Sequence, residues 1–152
     1  MKPTLEETIL LAVNAHHGQK DKIGKDYILH PLWVMNHIEG YDEKIVAVLH
    51  DVVEDTTVSL EDLRNLEYSE KIINALDALT KRADESRFEY LDRAMSNELA
   101  LAVKKVDIRH NSSEERLNQL PESERERLIK KYKGDVEYIM SKFKRIESNE
   151  QT

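Results

Sequence analysis

Apolar and polar positions alternate along this chain with a helical period of three to four residues. Between Thr4 and Ala15, Leu5, Ile9, Ala12 and Val13 fall on one stripe, and Thr4-Leu5-Glu6-Glu7 has the form of a capping box. The run from Gly18 to Asp26 is polar, rich in lysine and carries two glycines, so it predicts a loop. His30-Pro31 predicts the start of a second helix, ended by Gly40. Asp42 predicts the cap of a third helix, which runs on to the β-branched Thr56-Thr57-Val58. Ser59 opens a short fourth helix, and Ser69 a fifth that ends near Thr80. After the charged connection Lys81 to Glu85, helical stretches cover Ser86 to Ser96 and Asn97 to Arg109. Beyond a polar turn at Pro121, Ser123 to Lys133 and Asp135 to Ile146 predict two more, separated by Gly134. No alternating run is long enough for a strand, and no repeat or linker interrupts the pattern. The expectation is a single all-α domain over residues 1–146, a bundle of about eight helices, with 147–152 as a polar tail.

Composition supports that reading and narrows the function. The 152 residues include only four Gly and three Pro, and they are long enough to bury a core. There is no Cys, which excludes disulfides and thiolate metal sites. A net charge of −7 disfavours nucleic-acid polymers as partners. No stretch has the form of a signal peptide or a bilayer span, so the prediction is a cytoplasmic protein without a membrane partner.

The chemistry concentrates in Ala47-Val48-Leu49-His50-Asp51-Val52-Val53-Glu54-Asp55-Thr56. At about 100° per residue, Ala47, His50, Asp51 and Glu54 share one helical stripe, opposite Ile45, Val46, Leu49, Val52 and Val53. Three carboxylates then crowd a helix C-terminus, where the dipole is already negative, and a divalent cation is the simplest neutraliser. His30, at a loop-to-helix junction, and Asp107, near a helix end, complete a set of two imidazoles and two carboxylates with His50 and Asp51. That mixed set suits Mn²⁺, Fe²⁺, Co²⁺ or Zn²⁺. Glu54, one turn beyond His50, is placed to orient or deprotonate a hydrolytic water.

Five motifs in order, His16-x-Gly18-Gln19, Gly24-x-x-Tyr27-Ile28-x-His30-Pro31-Leu32, Leu49 to Thr56, Leu79-Thr80-Lys81 and Val106-Asp107-Ile108-Arg109-His110-Asn111, closely resemble the HD-domain hydrolases of the RelA/SpoT type. The resemblance spans roughly residues 5 to 120. It implies an HD-domain bundle with one catalytic metal, typically Mn²⁺, in a cleft, bound by His30, His50, Asp51 and Asp107. It implies that Glu54 and Asp55 activate or position the water and that Asn111 contacts substrate. The implied reaction removes the 3′-pyrophosphate of ppGpp or pppGpp, giving GDP or GTP and pyrophosphate. Where that family often carries Arg-Lys after Gly-Gln, with the Arg packing on guanine, this chain has Asp21-Lys22. An acidic side chain does not stack as a guanidinium does, which keeps two other readings open. One is an HD phosphohydrolase for another nucleotide, such as a nucleoside monophosphate or NADPH. The other is a silent module that binds a nucleotide or a partner protein. The resemblance ends where a synthetase domain begins in the long enzymes, so a hydrolase-only form is expected.

The remaining polar residues divide between site and scaffold. Lys22, Tyr27, Lys104 and Arg109 are candidates to contact a nucleotide substrate alongside Asn111. Lys20 and Lys25 belong either to a solvated loop or to a phosphate-facing rim. His16, His17 and His37 are expected to be structural or surface residues, Trp33 and Met35 to pack in the core, and His110 to lie near the site without binding metal.

Overall fold

The computed structural model describes residues 1–150, with side chains through Arg145. It is all helical apart from an isolated antiparallel bridge between Lys20 and Asp26. Ten helical segments follow one another: α1 (Leu5–Ala15), α2 (Leu29–Asn36), α3 (Tyr41–Leu49), α4 (Val52–Asp55), α5 (Leu60–Asn65), α6 (Glu70–Leu79), α7 (Arg87–Met95), α8 (Glu98–Asn111), α9 (Glu114–Leu117) and α10 (Glu122–Glu150). The chain divides into two compact units, Met1 to His110 and the residues from Asn111 on.

Side-chain caps set most helix starts in the first unit. Thr4 Oγ1 accepts from the Glu7 N–H at 3.1 Å while Glu7 Oε2 accepts from the Thr4 N–H at 2.9 Å. Ser59 and Asp62 repeat the device, and Ser69 and Ser86 cap α6 and α7 through the N–H groups of Ile72 and Glu89. Each such cap contributes about 1 kcal/mol. The third helix starts differently from expectation. Gly40, at φ 100°, is its cap, and Asp42 lies in the first turn. A Cβ at Gly40 would stand 1.7 Å from Glu43 Oε2, so position 40 favours glycine twice over.

α3 is the pillar of the first unit and packs against α1, α2 and α6. Ile45, Val46, Ala47, Val48 and Leu49 are all buried, so the core closes around the whole helix rather than one stripe of it. Ile73, Leu76 and Leu79 from α6 and Val103 from α8 complete the centre. Each fully buried Val, Ile or Leu contributes about 1.5–3 kcal/mol. This packing fixes the C-terminal end of α3, which leads into His50 and Asp51.

That end is also where the expected helix through Thr56 breaks. His50 Nδ1 donates to the Ala47 carbonyl at 2.6 Å. In an unbroken helix that oxygen would accept from the Asp51 N–H. α3 therefore stops at Leu49, His50 and Asp51 form a turn, and α4 restarts at Val52.

In the second unit α10 packs on α9, a single turn that the hydrophobic pattern did not reveal. The two helices expected on either side of Gly134 are one, since α10 continues through the glycine and on to Glu150. An interior glycine costs about 1 kcal/mol, less than the rest of a long helix supplies. Of the expected tail, residues 147–150 are thus helical, and 151 and 152 lie outside the described residues.

Candidate metal centre

His30, His50, Asp51 and Asp107 reach one point from three places in the first unit: the first turn of α2, the α3–α4 turn, and α8. One ligand atom from each lies within 4.8 Å of the others. His30 Nε2 is 2.8 Å from Asp107 Oδ1, and His50 Nε2 is 3.0 Å from Asp51 Oδ2 and 3.3 Å from Asp107 Oδ1. His30, His50 and Asp107 are buried, and Asp51 keeps 20% of its side chain exposed. The cluster therefore has an open side at Asp51.

The hydrogen bonds around this cluster require a cation. A carbonyl only accepts, so the bond to Ala47 leaves the hydrogen of a neutral His50 on Nδ1. Its Nε2 then turns a bare lone pair toward two carboxylate oxygens, and it has no hydrogen-bond partner. Only a proton or a metal ion makes that contact attractive. Burial works against the imidazolium, but Asp51 and Asp107 raise the His50 pKa well above its ordinary value. Burial likewise opposes ionisation of Asp107, yet Lys104, His30 and His50 hold it well below the usual carboxylate range. Two imidazole nitrogens and two carboxylates, convergent and buried except at Asp51, form a site that fits one divalent metal.

Each ligand has a further partner. Lys104, a candidate for substrate contact, is buried instead, with Nζ 2.9 Å from Asp107 Oδ2 and 5.1 Å from the Tyr90 ring centroid. Tyr27, another such candidate, donates its hydroxyl to Asp51 Oδ2. Its own pKa is raised, by burial first and then by the Asp51 charge. His30 Nδ1 is 2.7 Å from His110 Nδ1. Backbone and side chains thus hold each of the four residues in place.

Glu54 and Asp55 stand at the open side, both with exposed surface. Burial of its carboxyl, then the Asp51 and Asp55 charges, raise the Glu54 pKa, while a hydrogen bond from the Lys81 N–H and the charge of Lys104 oppose the rise. Arg93 keeps Lys81 in place. Its guanidinium spans the carbonyls of Asp77 and Thr80 at 2.8 and 2.7 Å and the Glu85 carboxylate at 2.5 and 2.9 Å, pinning the end of α6. Asp55 is also raised, by burial and by Asp51, against the opposing influence of His16, Tyr27 and Gln19.

The histidines expected to be structural split. His17 is exposed, whereas His16 is 2% exposed, with Nδ1 on Gln19 Oε1 at 2.9 Å and its ring 5.1 Å from that of Tyr27. Trp33 is partly buried and packs against the core rather than within it. Its two ring contacts are His37 at 3.7 Å and His110 at 4.2 Å, both nearly parallel, and Arg109 Cζ lies 5.3 Å from the ring centroid. Lys22 is exposed in the loop before α2, and Asn111 is the last residue of α8. Asp21 serves the loop itself: Oδ1 accepts from the N–H groups of Ile23 and Lys25 at 3.0 and 2.9 Å. Sequence reasoning missed Lys104, His110 and Asp21 in these roles. Of these, only Lys104, three residues before Asp107, carried a helical-spacing signal.

No family model matches the chain. It is 26% identical over 144 aligned positions to the guanosine-3′,5′-bis(diphosphate) 3′-pyrophosphohydrolase of Borreliella burgdorferi, covering 85% of this chain and 21% of that protein. It is 31% identical over 121 positions to the bifunctional (p)ppGpp synthase/hydrolase SpoT of Escherichia coli K12, covering 70% of this chain and 17% of that protein. The chain thus spans about a fifth of the length of these curated relatives. Among solved structures, a metazoan ortholog of SpoT described as hydrolysing ppGpp superimposes with a TM-score of 0.71 at 22% identity, covering 91% of this chain and 87% of that one. In fold the chain is similar to the SpoT ortholog, and in sequence it is related to part of the RelA/SpoT-type proteins.

Proposed function

We propose that this chain is a metal-dependent phosphohydrolase that removes pyrophosphate from the 3′ position of a nucleotide, with guanosine 3′,5′-bis(diphosphate) as its first substrate. The observation that carries this reading is the bare His50 Nε2 facing Asp51 and Asp107 beside a pair of carboxylates with raised pKa. His30, His50, Asp51 and Asp107 would hold one ion, Mn²⁺ first among the divalent metals that an N₂O₂ set accepts. Such an ion supplies a Lewis acid for a phosphoryl oxygen and makes water a stronger acid.

The chain's own groups do the rest. Glu54 accepts the proton of the attacking water, a task its raised pKa suits. Asp55, held by Gln19 and Tyr27, orients that water. Lys22 and Arg109 offset the substrate's charge, Asn111 offers it a neutral hydrogen bond, and Tyr27 acts on the substrate through Asp51 and Asp55 rather than by touching it. The partner is a small nucleotide, met in the cytosol.

One observation favours a second substrate. Asp21 is occupied by two backbone N–H groups at the position where the relatives' pattern often carries a base-stacking Arg. A different phosphorylated nucleotide, a nucleoside monophosphate or NADPH, therefore enters the same test. The test is a panel containing ppGpp, pppGpp and 2′- or 3′-phosphorylated nucleotides, assayed with Mn²⁺ and again after chelation. Release of pyrophosphate from ppGpp that stops on chelation is the expected result. Hydrolysis of another member alone would keep the metal hydrolase and discard the alarmone, and no turnover with metal bound would discard both.

A further inference from the structure

His30 and His50 present Nε2 to the same point, but their opposite nitrogens are held by different means. The Ala47 carbonyl fixes the His50 tautomer. His30 Nδ1 meets His110 Nδ1 at 2.7 Å, a bond in which one ring must donate and the other accept. The two rings are 7° from parallel with centroids 5.0 Å apart. Combined with a 2.7 Å nitrogen contact, that separation means edge-to-edge rings in nearly one plane, not stacked faces.

A plane shared by two imidazoles needs an outside constraint, and Trp33 supplies it. The indole lies 4.2 Å from the His110 ring at 11°, and His37 lies 3.7 Å from the indole at 12°. His37 Nδ1 in turn donates to the Trp33 carbonyl at 2.7 Å. His110 cannot tilt out of the His30 plane without parting from the indole face. Trp33, His37 and His30 all belong to the α2 region, whereas His110 comes from α8, so the stack also ties together the two helices that bring His30 and Asp107 to the cluster.

We propose that His110, held flat against Trp33, is a positioning residue that fixes His30 in the tautomer and ring plane needed to bind metal. A coordinating nitrogen must carry a lone pair, so once Nε2 gives up its bond to Asp107 Oδ1 for a metal, His30 holds its hydrogen on Nδ1 and donates it to His110 Nδ1. His110 is then neutral with its own hydrogen on Nε2. This inference rests on the metal site proposed above and adds to it the partner that sets the His30 half.

Two measurements test it. Isothermal titration of the metal-free full chain with Mn²⁺ compares the parent with His110→Ala, His110→Asn and Trp33→Phe. Loss of an outer partner of a metal ligand costs about 10–100-fold in affinity, so His110→Ala raises Kd by that factor. Asn places an acceptor where Nδ1 stood and recovers most of the loss, and Phe keeps a flat face and costs less than His110→Ala. An Ala variant with an unchanged melting curve and a Kd within about threefold of the parent overturns the proposal. Nitrogen-15 spectra of the zinc-loaded parent decide the matter even if a variant does not fold. Hydrogen on His30 Nδ1 is expected, and hydrogen on Nε2 overturns the assignment. A parent that binds neither Mn²⁺ nor Zn²⁺ would defeat the metal reading itself, which separates the two failures.

Discussion

The Lys20–Asp26 loop ends four residues before His30, yet the loop and the His/Asp cluster are held by different physics. The cluster atoms are fixed from several helices at once, by α3 packing, by the Ala47 carbonyl, by Lys104 and by His110. The loop is held mostly by itself: the Asp21 carboxylate caps two of its own N–H groups, Lys20 pairs with Asp26, and the Lys20–Asp26 bridge closes it. A site built from distant elements resists local change but fails as a whole when one member goes. A self-contained loop can vary without disturbing its neighbours. The proposed chemistry would thus sit on the part held from several helices, and substrate choice is expected to sit on the other.

The harshest way to break this contrast is at His50. His50→Ala removes one of four ligands and leaves the Asp51 and Asp107 carboxylates without the imidazole between them, so bound metal is lost and turnover falls to background. Elemental analysis after dialysis checks it, and retention of a full equivalent would count against the ligand set. Glu54→Gln is milder. It keeps the shape and loses the base, so turnover drops about 10²-fold or more while metal content holds. Equal turnover in that variant would pass the role to Asp55.

Acidity sharpens the comparison next. A proton and a metal compete for His50 Nε2, and the His50 pKa without metal is raised. Metal affinity should therefore climb about tenfold per pH unit and level off only above that raised value. The sign reverses for stability. Protonated His50 helps hold the metal-free fold, so its melting temperature falls as pH rises through the raised pKa, while the loaded protein does not follow. Melting curves at several pH values, with and without Mn²⁺, test both halves.

The smallest effect is expected in the loop. Asp21→Ala strips two capping hydrogen bonds, a loss of about 1–3 kcal/mol in loop ordering, and should raise KM several-fold with kcat and metal affinity unchanged. Asp21→Asn, which keeps an acceptor, should sit between. A change in metal affinity in either variant would show that loop and cluster are coupled after all.

What could be read from the sequence follows the same divide. The capping boxes at Thr4 and Ser59 depend on residues three apart, and the amphipathic pattern of α6 on neighbours one turn apart, so both were visible in order along the chain. His50 and Asp51 stood out as adjacent ligand types ahead of two acids, and His30 and Asp107, distant in sequence, were joined to them firmly only by the family resemblance. The break after Leu49 did not, because it arises from a side chain taking a backbone oxygen, and residue type alone does not reveal that competition. Nor did the inward turn of Lys104, which depends on Tyr90 and Asp107 meeting it in a buried space. Gly134 misled for the opposite reason: a local penalty of about 1 kcal/mol was outweighed by the length of α10.

The bond from His50 to Ala47 bears on how such a site changes over generations. Any residue at position 47 with a backbone carbonyl preserves it, so that half of the centre is insulated from substitution at its partner. The His30 half hangs on the side chains of His110 and Trp33, which mutation can reach. Descendants of this chain that come to prefer a different metal would be expected to carry their changes at positions 110 and 33, and to leave position 47 to the demands of packing.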